Sequence, residues 1–143
     1  MNSKLNIIKL AVGPNSLKEL EAWQTQRMCE KAANNENSEL IHSTRNFPRR
    51  AEEILGGGSI YWVIKGRIVG RNRILEFRPM IHNDRLHCGI VYDPKLIRVI
   101  PRPRRPFQGW RYLEGKDTPS DLTEEMGEIP ENMLRELIEL GVL

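Results

Sequence analysis

Cysteine is scarce in this chain. Two residues, Cys29 and Cys88, among 143 are too few and too isolated for a disulfide framework, and reduced, buried thiols are the expectation. Long apolar runs are missing too: none approaches the ~20 residues of a membrane-spanning helix. The opening stretch MNSKLNIIKLAVG has only a short apolar patch, interrupted by Lys9. It lacks the basic and long hydrophobic regions of a secretory signal, so a cytoplasmic location without membrane association is expected. No internal repeat is visible. At this length one domain, residues 1–143, is expected, large enough to bury a core without staples.

Metal and nucleophile signatures are equally thin. His42, His82, His87 and Cys88, with Asp84 nearby, are the candidate ligands, but no CxxC, HxxxH or HExxH spacing joins them. His82 and His87 flank a turn and face each other only if it closes a hairpin. Cys88 in an apolar strand lacks the electropositive, accessible setting of a reactive thiolate. Ser59 follows three glycines, yet GGGSI has neither the strand–Ser–helix order of a nucleophile elbow nor a GK[ST] phosphate loop. No metal and no cofactor are predicted. Among carboxylates Glu76 stands out for lying between Arg73 and Arg78, where an ion pair is the expectation.

Acid is what the middle of the chain has least of. Residues 42–112 carry fifteen basic side chains, thirteen of them Arg, against five acidic ones, whereas residues 113–143 carry two basic and nine acidic. The net charge of +3 therefore conceals a cationic centre and an anionic tail, a distribution that attracts anionic partners and also allows partial self-neutralisation. Arginine's planar fork suits bidentate contact with phosphate or carboxylate.

The densest β-forming cluster is Ile60–Ile64, entered through Gly56-Gly57-Gly58 and followed by Lys65-Gly66 and a run carrying Arg67, Arg71, Arg73 and Arg78. Ile60, Trp62 and Ile64 share one face, which is expected to meet the core. The hairpin turn is placed at Gly70-Arg71-Asn72 in preference to Lys65-Gly66. Upstream, Leu5–Val12 reads as a strand and Gly13-Pro14-Asn15 as a turn. Ser16 and Glu19 mark a capping box for a helix over Leu17–Ala33, whose buried stripe is Leu17, Leu20, Trp23 and Met28, with Gln24 on the polar side. Glu39–Thr44 is a short strand. Pro48 opens a second helix ending at Leu55, with Gly56 as its stop. That puts Arg49 and Arg50 in the first turn, where the helix dipole disfavours cations unless an anion is bound.

Downstream, Ile74–Phe77 is a return strand, Asn83-Asp84 a turn, and His87–Tyr92 and Leu96–Ile100 are further strands. Successive strands on short turns imply an antiparallel meander. Residues 101–112 (PRPRRPFQGWRY) are expected outside the sheet, because prolines lack the N–H a ladder needs. They form a Pro/Arg-rich, polyproline-like connector held down by Phe107, Trp110 and Tyr112. Residues 113–128 read as an acidic, partly mobile stretch, and Pro130–Leu140 as a final helix. The fold class expected is thus α+β: a single domain with a mainly antiparallel sheet, flat or curled into a barrel-like form around the glycines, covered by an N-terminal and a C-terminal helix.

LNIIKLAVG, LIHSTRNFPRRAEEILGGGSIYWVIKGRI and PRPRRPFQGWRYL together resemble the bacterial family catalogued as domain of unknown function 1489, across nearly the whole chain. The resemblance implies a small bacterial protein and carries no activity, cofactor or catalytic residue with it.

Three readings of function follow. The first is an anion-binding module that engages RNA or a nucleotide through Arg45, Arg49, Arg50, Arg67, Arg71, Arg73, Arg102, Arg104, Arg105 and Arg111, with Trp110 available to stack a base. No RNP, KH, zinc-finger or helix-turn-helix signature accompanies it. The second is an enzyme for a small phosphorylated or carboxylated substrate at His42, Arg45, Arg49 and Arg50, with His42 as acid or base near neutral pH; it requires those four side chains to converge on a pocket. The third is a protein-interaction module whose Pro/Arg connector docks an acidic partner.

Overall fold

The computed structural model describes residues 4–37 and 39–122. The elements run β1 Leu5–Leu10, α1 Leu17–Ala33, β2 Leu40–Thr44, α2 Ala51–Leu55, β3 Ser59–Ile64, β4 Arg67–His82, β5 Arg85–Tyr92, β6 Ile97–Pro103 and β7 Trp110–Glu114, followed by a single 3-10 turn at Gly115–Asp117. The C-terminal helix expected at 130–140, and the acidic stretch beyond residue 122, lie outside the described residues.

All seven strands join one mixed sheet in the order β2-β5-β4-β3-β1-β7, with β6 on β4. The antiparallel expectation holds except where β1 lies parallel to β3. β4 organises the rest. Its first part pairs with β3 on one side and β6 on the other, and its second part pairs with β5. β5 and β6 therefore run one after the other against the same long strand, interrupted at residues 93–96.

The β3–β4 turn falls at Lys65-Gly66, not at Gly70-Arg71-Asn72. Both turn residues have positive φ, 49° and 78°, the backbone of a two-residue hairpin loop. Gly70 lies within β4, beside a register shift in its pairing with β6. Its glycine is a packing requirement: a Cβ there would come within 2.8 Å of Leu17 Cδ1 on α1. Asn83 and Asp84, with φ of 51° and 62°, close the β4–β5 hairpin where the sequence placed it.

The prolines enter the sheet after all. β6 includes Pro101 and Pro103, and Pro103 sits opposite Arg67. Among the described strands β6 pairs with β4 alone, and residues 120–122 meet its other side at Arg98–Ile100, so Pro101 and Pro103 fall at the end of an edge strand, where missing N–H groups are tolerated. Trp110–Tyr112 is strand as well, which reduces the connector to residues 104–109.

α1 spans the residues predicted for it. Ser16 Oγ accepts the Glu19 N–H at 3.2 Å, and the Glu19 carboxylate reaches back to the Asn15 N–H. Three residues of the expected stripe pack inward, Leu20 buried and Leu17 and Met28 against the core, but Gln24 is buried in place of Trp23, which is 45% exposed. Gln24 goes inside because it finds a full amide partner there, Asn72, with Nε2 to Oδ1 at 3.2 Å and Nδ2 to Oε1 at 3.1 Å. Cys29, expected inside, is exposed on the same helix, and only Cys88 is buried. α2 begins at Ala51 and not at Pro48, with Arg50 as its N-cap.

Both sheet faces carry apolar clusters. Ile7, Ile60, Trp62, Ile64, Ile74, Cys88, Ile90 and Tyr92 pack with Leu20 of α1 and Ile54 of α2, while Ile8, Tyr61, Val63, Ile68, Val99 and Leu113 form the second cluster. Each such side chain contributes on the order of 1.5–3 kcal/mol by leaving water. The sheet curls strongly. His42 on β2 and Trp62 on β3 are three positions apart in strand order, about 14 Å in a flat sheet, yet their ring centroids are 5.7 Å apart. Trp110 of β7 donates its indole N–H to Asn46 O just beyond β2, and Tyr112 Oη accepts the Arg50 N–H, so the two ends of the sheet are stitched by side chains. Among the described residues no helix is long and apolar enough to cross a membrane.

Candidate functional site

The cationic centre separates into arginines that the fold consumes and arginines that it leaves outward. Arg71 grips Asp121 with both arms, Nε to Oδ1 at 2.8 Å and Nη2 to Oδ2 at 2.7 Å, and its Nη1 donates to Ser59 Oγ at 2.8 Å. Arg102 Nη1 donates to the Asp117 carbonyl at 2.7 Å. The start of the acidic tail therefore lies over part of the basic surface. A Val99–Asp121 bridge holds it there.

Arg78 pairs with Glu76 and with Glu39, the ion pair anticipated for Glu76, with Arg78 and not Arg73 as its partner among the described residues. That pairing holds the Glu76 carboxyl below its usual range, hydrogen bonding from Arg78 being the main cause. Arg50 bonds Glu53 at 2.6 Å and Glu114 at 3.5 Å, and its guanidinium lies over the Tyr112 ring.

Of the remaining arginines, three come together at the loop between β6 and β7 and the start of β7. Pro103, Arg104, Arg105, Pro106, Phe107 and Arg111 enclose a concavity of about 340 Å³. The guanidiniums of Arg104 and Arg111 both lie 5.6 Å from the Phe107 ring centroid, a cation–π geometry. No carboxylate lines this hollow, and Arg104, Arg105 and Arg111 form no ion pair among the described residues. Local structure sets the arrangement. The Arg104 N–H donates to Gly66 O at 2.7 Å, which docks the loop against the β3–β4 turn. Arg111 leaves β7 on the face opposite Trp110 and Tyr112, because neighbouring strand residues alternate. Trp110 and Tyr112, rings in edge contact with centroids 5.1 Å apart, pack against the first apolar cluster. The aromatic group beside the cations is thus Phe107. The PRRPF spacing was the signal for it.

His42 and the arginines named with it do not share a pocket. Arg45 and Arg49 are exposed beyond β2, and Arg50 is tied to Glu53 and Glu114. Arg73 is exposed on β4, and Arg67 is partly buried beside the turn. His42 instead lines a cavity of about 740 Å³ between β2, the end of β1 and α1. Leu10, Leu20, Ile41 and Trp62 supply its apolar wall, and Trp23 and Arg27 reach it from α1. Arg27 stacks on Trp23, 4.7 Å from the ring centroid.

The His42 ring is edge-on to Trp62, and its Nε2 is sealed from water with no hydrogen-bond partner among the described residues. Burial, with a smaller push from the Lys9 charge, lowers its pKa to about 4. At neutral pH it is an uncharged imidazole and not the poised acid or base that its ordinary pKa suggests. Lys9 is itself lowered by burial. Burial also pushes the Cys88 thiol up to about 11 and the Tyr92 hydroxyl up to about 12, so neither is ionised near neutrality. His82 and His87 do meet across their hairpin, ring centroids 5.7 Å apart. Among the described residues, however, no three of His, Cys, Asp and Glu come together as a metal would need.

The described residues thus define an α+β fold on one curled mixed sheet, with an arginine-lined hollow on one loop and an apolar cavity beneath the first helix. Residues 7–143 match the family described as Protein of unknown function (DUF1489), and the chain belongs to that family. No curated protein and no solved structure matches it.

Proposed function

We propose that the protein binds single-stranded RNA, with the Arg104–Arg105–Phe107–Arg111 hollow as the contact point. The observation that carries this reading is the hollow's lining: the guanidiniums of Arg104 and Arg111 over one aromatic ring, with Arg105 beside them and no carboxylate among the described lining residues. Guanidinium forks take phosphate oxygens in pairs, and guanidinium planes and phenyl rings accept unpaired bases by stacking. Stacking on Phe107 restrains Arg104 and Arg111 before a ligand arrives, which reduces the entropy lost on binding. Exposed Arg98 lies on the neighbouring strand β6 and extends the positive field.

Fluorescence anisotropy with a labelled 12-nucleotide RNA, titrated across salt concentrations, tests the proposal. Wild-type affinity should fall steeply with salt. The R104E/R105E/R111E variant should bind weakly, with a log–log salt slope shallower by about 2, three phosphate contacts counting ~0.7 each on a single strand. Absence of salt-sensitive binding by the wild type would end the proposal. Equal binding of a mononucleotide would replace RNA by nucleotide as the ligand.

A further inference from the structure

The cavity beneath α1 plays no part in the RNA reading and has its own chemistry. Its volume, about 740 Å³, falls in the range of small-molecule sites, which are mostly apolar with a few placed polar groups. Trp62, Leu20, Ile41 and Leu10 make its wall. Trp23 stands partly exposed among its lining residues, and Val12, also lining it, is 89% exposed. An apolar body of aromatic or acyl type matches these surfaces, and an edge-on cluster of His42, Trp62 and Tyr92 lies against them.

The charges at this cavity are unbalanced. Arg27 lines it, held flat on Trp23, and forms no ion pair among the described residues. Lys9, half-buried and near enough to His42 to act on its charge, has no ion-pair partner among them either. The one carboxylate among the described lining residues, Glu19, accepts the Asn15 N–H at the helix start and lies about two turns of α1 away from Arg27. His42, neutral, adds a polar group without adding negative charge. Two cations without counter-charges among the described residues, beside an apolar chamber, favour an anionic ligand over a neutral one.

We propose that this cavity binds a small organic acid, its aromatic or acyl body against Trp62, Leu20 and Ile41 and its carboxylate on Arg27. His42 borders the cavity with its Nε2 sealed off, and no covalent step is assigned to it. The site is independent of the arginine hollow, which lies on the β6–β7 loop.

The three tryptophans make the test direct. Trp23 and Trp62 line the cavity, and Trp110 lies outside it, so their indole N–H resonances in nitrogen-15-labelled full-length protein form an internal comparison. The probes are 1-naphthaleneacetate and its neutral analogue 1-naphthaleneacetamide, with inorganic phosphate as a bare anion. Naphthaleneacetate should shift Trp23 and Trp62 saturably and leave Trp110 in place, with the amide binding roughly tenfold more weakly for want of the charge-assisted contact. Arg27→Gln should reduce the acid's affinity to that of the amide, and R104E/R105E/R111E should leave it unchanged. If Arg27→Gln alters the spectrum of the free protein, Lys9→Met carries the comparison, with the acid expected to lose affinity and the amide to keep it. Equal affinities for acid and amide in the wild type would overturn the proposal. So would a Trp110 shift that tracks the other two, or no saturable shift by either organic probe.

Discussion

Trp62 and Asn72 meet inside the sheet, the indole N–H donating to the Asn72 Oδ1 at 2.8 Å. Asn72 is fully buried, and each of its polar atoms is used. The same oxygen accepts from Gln24, while Nδ2 donates to Gln24 Oε1 and to Asp93 O. One amide thus joins β3, β4, α1 and the turn after β5. Deletion of a member of such a network leaves the others unpaired in a low-dielectric interior, which costs more than the bond itself.

Asn72→Ala should therefore destabilise the protein by about 2–4 kcal/mol. Gln24→Ala, which strands fewer groups, should cost less. Urea midpoints with unchanged slopes are the measurement; equal losses for the two variants would mean that Asn72 is not the hub.

His42 gives a pH dependence of known sign. Its pKa is near the ordinary 6.5 when unfolded and about 4 when folded, so between those values the unfolded chain binds the proton and the native one does not. The stability is fully present above pH 6.5 and is lost as pH falls toward 4, by roughly 3 kcal/mol in total. Burial is the main cause, and the Lys9 charge on β1 adds to it by opposing protonation. His42→Phe should flatten the stability difference between pH 7 and pH 4.5, read from chemical denaturation at each pH.

Gly58 is a packing glycine. A Cβ there would collide with the carbonyl oxygens of Leu5 and Ile54, and backbone atoms cannot swing aside as a side-chain tip can. Gly58→Ala should cost about 3 kcal/mol or more. A melting temperature within a degree or two of wild type would contradict this.

Phe107→Ala separates charge from order in the RNA reading. All the arginines remain, but Arg104 and Arg111 lose the ring that restrains them. RNA affinity should fall about threefold to tenfold, in keeping with exposed cation–π contacts, while the salt slope stays as in wild type. A slope change would point to lost phosphate contacts instead.

Local signals in the sequence were sound where one short segment determines its own structure. Ser16 and Glu19 fixed the start of α1, and Asn83-Asp84 fixed a hairpin. They misled where a distant partner decides. Gly70 looks like a turn until α1 is laid across it and Leu17 demands the space. Pro101 and Pro103 look excluded from a sheet until β6 is known to be an edge. Gln24 reads as a solvent-facing residue until Asn72 supplies its partner. The candidate sites divide in the same way: Arg104, Arg105 and Arg111 were named from a short run of sequence, though with Trp110 and not Phe107 as their aromatic neighbour, whereas Lys9 and Trp62 meet only through β1–β3 pairing and His42 reaches Trp62 only through the curl of the sheet.

β1 is placed between β3 and β7, and Asn6 Nδ2 reaches Leu113 O across 107 residues of chain. During synthesis the N-terminal strand must therefore wait for nearly the whole described chain before its second edge is covered. Such long-range closure slows folding, because loop entropy is lost before the contacts that offset it can form. An apolar strand with one open edge is meanwhile a template for other chains. Refolding yield should therefore fall with protein concentration more steeply than native stability alone implies.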